Sequence, residues 1–403
     1  MYARQRRGRK PELFTSTARC EVSKFYYLSL RFFQQTTWKI NLQTSCLNRS
    51  GTDIDKSGFW LLFLAGNFLW SCKIMNGSTI ENSTLEMLTN SMLHHTLPTI
   101  YLVIFIISTP LNALSLWLLC CRMWPKTPTM IFSINLAITD LLYSLTLPFQ
   151  IIYHWNWNNW LVGEPLCRLV TILFYGNMHC SILTVMLISV ERYLGIVHPL
   201  RTSEFRTIKA AVFLCIIIWF FVLSVHSPLM YTELTYEVTV LKITTCFDII
   251  RRNMFPALFY FYLYYSIQIF LFFLFPFIVM VVCYSKIIRT LLKTPVMEMR
   301  ESRKQIVYLT IMVLLVFTIC YLPTQIIMII HFVRSSQKRP IYVIYKLSLT
   351  LISLNGCFDP LLYYFASKEF RRKIQKLCPC LPVDDGDKTL SNTMQPLAAK
   401  GNQ

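Results

Sequence analysis

The sequence predicts an all-α membrane protein: a bundle of seven transmembrane helices followed by a short amphipathic helix, the eighth, on the cytoplasmic side. Hydrophobic residues make up 54% of the chain and charged residues only 15%, which is more apolar than an ordinary soluble domain. Apolar runs longer than about 18 residues recur along the chain, and that length crosses a bilayer as a helix. The seven runs cover roughly 97–121, 129–153, 168–190, 208–230, 256–285, 306–333 and 341–365.

The basic residues give the orientation of these spans. A net charge of +19 is compatible with a nucleic-acid-binding protein, but the positive charges flank the spans on alternating sides. Basic loops are cytoplasmic by the positive-inside rule. We therefore expect a plasma-membrane protein with an extracellular N-terminus, a cytoplasmic C-terminus and no nucleic-acid partner. The charges that mark the cytoplasmic side are Arg122, Lys126, Arg201, Arg206, Lys209, those from Lys286 to Lys304 and those from Lys368 to Lys376.

The first 74 residues differ from the rest of the chain. They carry twelve Lys and Arg against four Asp and Glu, and their one apolar stretch is too short to span a bilayer. Met75 is followed at once by glycosylation sequons at Asn76 and Asn82. We predict four parts: a dispensable, non-native or disordered extension (1–74), a glycosylated extracellular N-terminus (75–96), the seven-helix domain (97–366), and the amphipathic helix with a short cytoplasmic tail (367–403).

Two of the fourteen cysteines are expected to form a disulfide bond. Most cysteines lie within apolar spans, where a thiol behaves as a small hydrophobic group. Cys167 opens the third span and Cys246 lies in the loop before the fifth, so both fall on the oxidising extracellular side. No other cysteine lies on that face beyond the N-terminal segment. Cys378 and Cys380 follow a basic amphipathic stretch, and we predict that they are S-acylated and lie at the lipid bilayer.

Four of the spans contain polar groups that a bilayer disfavours. The second contains Asp140, the third contains Asn177 and Ser181 and ends in Glu191-Arg192-Tyr193, and the seventh contains Asp359-Pro360 and Tyr363. The sixth reads FTICYLPTQ and is interrupted by Pro323. A charge inside a membrane span is costly and indicates a function by default. Polar groups at matching depths in four spans therefore predict one site.

These motifs resemble, in order along the chain, those of the class A, rhodopsin-like G-protein-coupled receptors. The resemblance covers about residues 97–378. Within that class, the phrases FYGNMHCSIL and TCFD, and DP in place of NP in the seventh span, are similar to the purinoceptor and protease-activated receptor branch. The matching positions are Asn112, the NLAxxD that ends at Asp140, Cys167, Glu191 to Tyr193, Trp219, Pro276, Tyr284, the F-x-x-C-Y-x-P of 317–323 and the DPxxYY of 359–364.

The resemblance implies a receptor that activates heterotrimeric G proteins of the twelve/thirteen class and so leads to Rho, with arrestin and receptor kinases as further partners. We expect Arg192 to pair with Glu191 at rest and to swing toward Tyr284 and Tyr363 on activation, which would expose a crevice for a G-protein helix. The family usually has Trp or Phe where this chain has Tyr321, which predicts an altered switch. The expected switch residues are Glu191, Arg192, Tyr193, Tyr284, Tyr321, Pro323, Asp359, Pro360 and Tyr363.

No cofactor is expected apart from a structural sodium ion. Two close carboxylates resist ionising together unless a cation lies between them. We expect the sodium ligands to be oxygen atoms of Asp140, Ser181, Asn355 and Asp359.

The outer ends of the spans predict the chemistry of an extracellular small-molecule ligand. His331 and Arg334 lie one turn apart on the sixth span, and Tyr345 and Lys346 occupy the outer turn of the seventh. A basic rim above an apolar lining predicts an amphiphilic anionic ligand, lipid-like or nucleotide-like, with its charged head at Lys346. The expected pocket consists of Tyr175, Arg252, His331, Arg334, Tyr345 and Lys346 at the rim, above Phe174, Met178, Met328 and Ile329.

Two alternatives stay open. The first is a nucleotide-activated receptor that couples to other G proteins, although nucleotide-binding relatives carry a histidine and a basic residue where this chain has Gln325 and Met328. The second is a transporter, which the lack of an internal sequence repeat disfavours. An enzyme is not expected, because His179 and Ser181 are two residues apart and point to different helix faces.

Overall fold

The described part of the protein, in a computed structural model, comprises residues 82–199, 202, 206–248, 258–293, 300–336 and 341–377. All of them belong to one compact unit, Trp70–Gln403. Some of the predictions fall outside these residues and stay predictions. They concern the extension 1–74, glycosylation at Asn76 and the side chain of Asn82, Arg252 in the ligand pocket, and acylation at Cys378 and Cys380.

Six helices within the described ranges are long and apolar enough to cross a membrane. The seventh predicted span is present as two consecutive helices, Tyr342–Ser353 and Asn355–Ala366, with a break at Leu354. Together they form the predicted seven-helix bundle, and we number its members the first to seventh spans. The first six are Ser91–Arg122, Pro128–Trp155, Glu164–Val197, Ile208–Val225, Phe259–Lys293 and Ile306–His331.

Several spans are interrupted near prolines. Proline lacks a backbone N–H and cannot continue the hydrogen-bond ladder of a helix. Pro148 follows the break in the second span, and Pro323 follows the break in the sixth. The segments are Ser91–Trp117 and the π-helix Leu118–Arg122 in the first span, Pro128–Ser144 and Leu147–Trp155 in the second, Leu258–Ile269, the π-helix Phe270–Leu274 and Phe275–Lys293 in the fifth, and Arg300–Cys320 and Leu322–Ser336 in the sixth.

Three short helices lie outside the spans. Asn82–Thr89 precedes the first span, Ser227–Tyr231 follows the fourth, and Lys368–Leu377 follows the seventh. The last of these coincides with the predicted eighth helix. Its Phe370 is fully buried and lies with its ring centroid 6.2 Å from that of Tyr363. That this helix rests on the cytoplasmic lipid surface stays a prediction.

A β-hairpin covers the outer end of the bundle. Its strands, β1 (Thr235–Val238) and β2 (Ile243–Cys246), pair antiparallel with Thr235 opposite Cys246. The Cys167–Cys246 disulfide, with Cα atoms 5.7 Å apart, confirms the predicted pairing and joins β2 to the third span. Glu164 strengthens the same attachment, because its carboxylate accepts hydrogen bonds from the backbone N–H groups of Leu234 and Thr235 at 2.9 and 2.8 Å.

The third span lies at the centre of the bundle. It packs against the second, fourth and fifth spans, while the seventh packs against the first and sixth. One buried polar chain joins three of these helices. Trp219 Nε1 donates to Asn135 Oδ1 at 2.9 Å, and Asn135 Nδ2 donates to Thr184 Oγ1 at 2.9 Å. Trp219 and Asn135 of the family pattern thus fix the second and fourth spans to the third.

Lys126 caps the C-terminal end of the first span. Its ammonium donates hydrogen bonds to the backbone carbonyls of Cys120 and Met123, each at 2.9 Å, and to that of Leu119. The last carbonyls of a helix lack partners within it, and a cation there also complements the helix dipole. Burial lowers the pKa of Lys126. The loop between the first and second spans is therefore held against the helix it follows.

Candidate functional site

Two buried carboxyl groups lie together in the interior of the bundle. Asp140 of the second span and Asp359 of the seventh are 1% and 0% exposed, and their carboxyl groups lie close enough to share a hydrogen bond. Asn177 Nδ2 donates to Asp140 Oδ1 at 2.8 Å, and Asn355 Nδ2 donates to Asp359 Oδ2 at 2.9 Å. The structure thus brings together polar groups that the sequence placed on three separate spans.

The break in the seventh span allows this approach. Asn112 of the first span donates to the backbone carbonyl of Gly356 at 2.7 Å and to Ser108 Oγ at 3.1 Å. A Cβ atom on Gly356 would lie 2.6 Å from Ser108 Oγ and 3.5 Å from the carboxyl group of Asp140. Glycine is therefore required for this contact between the first, second and seventh spans.

The same region contains buried oxygen atoms that lack a hydrogen-bond donor within the described part of the chain while both carboxyl groups are ionised; when one is protonated, Asp140 and Asp359 can hydrogen-bond to each other. A buried polar atom without a partner costs about 1–3 kcal/mol. A hard cation coordinates such oxygen atoms, so the residues fit the predicted sodium ion. Asn355 differs from the other predicted ligands, because its amide nitrogen already holds Asp359. The unpartnered atoms are Asn112 Oδ1, Asp140 Oδ2, Ser181 Oγ, Asp359 Oδ1 and the Tyr363 hydroxyl.

Glu191, near the C-terminal end of the third span, has closer hydrogen-bond partners than Arg192, the partner expected from the sequence. Its side chain is 8% exposed and accepts hydrogen bonds from Thr129 Oγ1 at 2.7 Å and Arg206 Nη2 at 2.6 Å. Arg192 Nε lies 3.8 Å from Glu191 Oε2, too far for a hydrogen bond. The expected Glu191–Arg192 contact is therefore present only as a long ion pair, and sequence reasoning missed Arg206 as the close partner.

The tyrosines expected to receive Arg192 are both buried. Tyr284 is 2% exposed, and its hydroxyl accepts a hydrogen bond from Ser189 Oγ at 3.0 Å. Ser189 lies three residues before Arg192 on the third span. Tyr363 is 2% exposed and contributes to the group of unpartnered oxygen atoms. Tyr193, the third residue of the ERY motif, has its hydroxyl 3.1 Å from His198 Nε2.

Aromatic side chains line the outer part of the bundle. The side chains of Tyr175 of the third span and Tyr345 of the seventh lie close together. The ring of His331 stacks on Tyr345 with a centroid distance of 4.9 Å, while Arg334 is exposed at the end of the sixth span. Three of the predicted pocket residues therefore meet in one cluster.

Lys346, the predicted anchor of an anionic head group, is already paired. Its ammonium forms a salt bridge with Asp248, whose side chain is 2% exposed. Tyr153 donates to the other oxygen of the same carboxylate at 2.8 Å, and its hydroxyl accepts from the backbone N–H of Cys246 at 3.3 Å. Asp248 and Lys346 are 98 residues apart, and sequence reasoning assigned Asp248 no part in the pocket.

The residues predicted to line the pocket differ in their burial. Met178 is 5% exposed, and Phe174 packs edge-on against Tyr143 and Tyr175. Ile329, in contrast, is 46% exposed. It lies on the same face of the sixth span as Ile326, Ile330 and Val333, which are exposed as well, and its place in the lining stays a prediction.

The bundle, the disulfide and the buried motifs define a class of receptor. Residues 111–363 match the family described as 7 transmembrane receptor (rhodopsin family), and the chain belongs to this family of G-protein-coupled receptors. It is a multi-pass protein of the plasma membrane and a receptor rather than an enzyme.

Individual relatives show which branch of this receptor family the chain resembles. The chain is 44% identical to P2Y purinoceptor 8 of Gallus gallus over 318 residues, 78% of this chain and 89% of the relative. It is 41% identical to the S-geranylgeranyl-glutathione receptor P2RY8 of Homo sapiens over 312 residues, 77% and 87% of the two chains. Proteinase-activated receptor 3 of Homo sapiens is 40% identical over 294 residues, 72% and 76%. The predicted purinoceptor and protease-activated receptor branch is thereby confirmed.

Proposed function

We propose that this receptor responds to an extracellular amphiphilic anion and activates G proteins of the twelve/thirteen class, which leads to Rho. The observation that carries the proposal is the aromatic cluster of Tyr175, His331 and Tyr345, with the ammonium-bearing Lys346 next to Tyr345 on the seventh span. An apolar chain buried among aromatic side chains gains roughly 25 cal/mol per Å² of buried surface. A charged head group at the rim gains charge-assisted hydrogen bonds.

The name of the human relative supports this chemistry. S-geranylgeranyl-glutathione joins an isoprenoid chain to a peptide that carries carboxylates, so it is amphiphilic and bears anionic groups. We propose a ligand of this kind for the present chain. The isoprenoid part would lie beside Phe174 and Met178, and a carboxylate would approach Lys346.

The Asp248–Lys346 salt bridge indicates how the head group of the ligand would bind. A ligand carboxylate would exchange with Asp248 for the ammonium of Lys346, while Tyr153 continues to donate to Asp248. Ligand binding at this point would loosen the link between the outer loop and the seventh span. The link joins the loop to the outer of the two helices of the seventh span, and the second of them carries Asp359. We propose that the exchange reaches the interior of the bundle by this route.

The remaining partners are proposed from the family. We propose an extracellular N-terminus, glycosylated at Asn76 and Asn82. On the cytoplasmic side, Ser and Thr residues at 389–393 would be phosphorylated by receptor kinases and bind arrestin. The cysteines Cys378 and Cys380 would carry lipid.

A panel of G-protein activation assays on cells that express the full chain tests the proposal. We expect S-geranylgeranyl-glutathione to stimulate nucleotide exchange on the twelve/thirteen class. The Lys346→Ala variant should lower its potency at least tenfold, which corresponds to about 1.4 kcal/mol, without lowering activity in the absence of ligand. Asp248→Asn should not lower potency, because it removes the competing carboxylate.

Lys242→Ala is the matched control, since Lys242 is an exposed lysine in the turn between β1 and β2. It should respond like the parent. Activation by ATP, ADP or UDP at submicromolar concentration would instead favour the nucleotide-activated alternative. A Lys346→Ala response equal to that of the parent would contradict the assigned position of the head group.

A further inference from the structure

The carboxylate of Glu191 is shared between two arginines at unequal distances. Arg206 Nη2 lies 2.6 Å from Oε1, whereas Arg192 Nε lies 3.8 Å from Oε2. Charge-assisted N–H···O bonds are formed at about 2.7–2.9 Å and weaken steeply with distance. Thr129 donates to Oε2 at 2.7 Å. Glu191 therefore has its strong contacts with Arg206 and Thr129, and its contact with Arg192 is the weak one.

Gly195 makes the approach of Arg206 possible. It lies one turn after Glu191, on the same face of the third span. A Cβ atom at this position would lie 2.6 Å from Arg206 Nη2 and 2.8 Å from Cζ. These distances are shorter than Cβ contacts in proteins allow, so any residue other than glycine would displace the guanidinium.

The backbone fixes the start of the Arg206 side chain. Arg206 N–H donates to the carbonyl of Thr202 at 3.2 Å. The next residue, Thr207, is the N-cap of the fourth span and accepts from the N–H of Ala210 at 3.2 Å. Arg206 is thus held between the cytoplasmic loop and the fourth span, and its side chain reaches back to the third.

We propose that Arg206 is a positioning residue for G-protein activation: by binding Glu191 across Gly195, it weakens the restraint of Glu191 on Arg192. We call the contact of Arg206, Glu191 and Gly195 the loop clamp. Loss of the loop clamp would let Glu191 close the 3.8 Å gap to Arg192 and hold Arg192 in its resting position. The inference rests on the proposed G-protein activation and adds a second arginine that sets its basal level.

The test measures ligand-independent nucleotide exchange by the full chain in membranes, normalised to surface expression. We expect Arg206→Gln to lower basal exchange on the order of two- to fivefold, the range for a partly exposed ion pair. Gly195→Ala should lower it in the same direction, although it changes no charge, and Arg206→Lys should retain more activity than Arg206→Gln. Lys209→Ala, which removes an exposed charge one residue into the fourth span, should match the parent.

The Glu191→Gln background separates the loop clamp from a direct effect of Arg206 on the G protein. In that background Arg206→Gln should have no further effect, because Arg206 then has no carboxylate to hold. An equal fall in both backgrounds would overturn the inference, as would an unchanged or raised basal exchange in Arg206→Gln itself.

A second measurement tests the loop clamp independently of G-protein coupling. Hydrogen–deuterium exchange of the purified receptor should show faster exchange just before the fourth span in Glu191→Gln and Gly195→Ala. If no G protein responds to any variant, the proposed coupling fails, while this measurement still reports on the loop clamp. Unchanged exchange in both variants would overturn the loop clamp directly.

Discussion

At the scale of single residues, a few polar groups are buried inside the bundle of the described structure, and each is costly in free energy. Asp140, Ser181 and Asp359 are 0–1% exposed, and while both carboxyl groups are ionised each of the three has an oxygen atom without a donor among the described residues. A helix in a bilayer keeps such groups only where neighbouring helices or a bound ion satisfy them. Arg192 is different, because its side chain is 30% exposed at the cytoplasmic edge.

Because the Arg192 side chain is partly exposed, its substitution can separate an effect on signalling from an effect on folding. Arg192→Ala should reduce ligand-stimulated nucleotide exchange to the level of membranes without receptor, because the residue faces the G protein rather than the core. Surface expression, measured with an N-terminal epitope tag, should stay within the range of the parent. Arg289→Ala, which removes an exposed arginine near the cytoplasmic end of the fifth span, is the control. Retained exchange in Arg192→Ala would show that the ERY motif only flanks a span.

Sequence reasoning found the residue types at the site but not all of their partners. Asp140, Asn177 and Asp359 could be named because a polar group in an apolar run stands out. The partners Arg206 and Asp248 could not, since each lies in a loop where a charge is ordinary. Asp248 pairs with a residue 98 positions away, and a contact of that kind depends on how the hairpin folds over the bundle.

At the scale of helices, hydropathy predicted how many spans there are better than where they end. The fourth helix ends at Val225 rather than near residue 230. A separate short helix, Ser227–Tyr231, follows it, with His226 as its N-cap and Pro228 in its first turn. The fifth continues to Lys293, beyond the predicted end at 285. Hydropathy reports where the lipid ends, whereas a helix continues into water as long as its backbone hydrogen bonds are kept.

The π-helix Phe270–Leu274 and the break at Leu354 were also missed. A π-helix adds a residue to one turn and leaves the composition unchanged. The break at Leu354 brings Gly356 against the first span. This contact predicts how a substitution at Gly356 changes the thermal stability of the receptor.

Gly356→Ala should destabilise the contact between the first and seventh spans. The new Cβ atom would lie 2.6 Å from Ser108 Oγ, and overpacking of this kind typically costs about 1–3 kcal/mol. The thermal midpoint of the purified receptor in detergent should fall accordingly. Adding Ser108→Ala should restore most of the loss, because it removes the clashing oxygen atom.

Gly176→Ala is the matched control for the Gly356 prediction. Gly176 lies inside the third span, and a Cβ atom there would meet nothing within 4 Å. It should leave the midpoint within error of the parent. If Gly356→Ala is as stable as Gly176→Ala, or if Ser108→Ala fails to rescue it, the close approach of the two helices is not what requires glycine.

At the scale of the whole molecule, the third span connects all three parts of the site. It carries Tyr175 in the outer aromatic cluster, Asn177 and Ser181 beside the carboxyl pair, and Glu191 in the loop clamp. Sixteen residues separate Tyr175 from Glu191, which is about 24 Å along a helix. The third span also packs against three other spans, so one continuous helix links the three levels.

This arrangement predicts that sodium and ligand affect each other's binding. A sodium ion among Asp140, Ser181 and Asp359 would satisfy their unpartnered oxygen atoms only while the second, third and seventh spans keep their present spacing. A ligand that favours a different spacing must then bind more weakly when sodium is present, and linkage makes the effect reciprocal.

Replacing choline by sodium at constant ionic strength should lower agonist potency in the parent by at least about fivefold, the lower end of typical coupling between sites. Asp140→Asn and Ser181→Ala should each abolish this shift, because each removes an oxygen ligand or its charge, whereas the exposed Lys242→Ala should keep it. A shift of equal size in Asp140→Asn would place the sodium effect elsewhere in the molecule, and no shift in the parent would rule out a coupled sodium site.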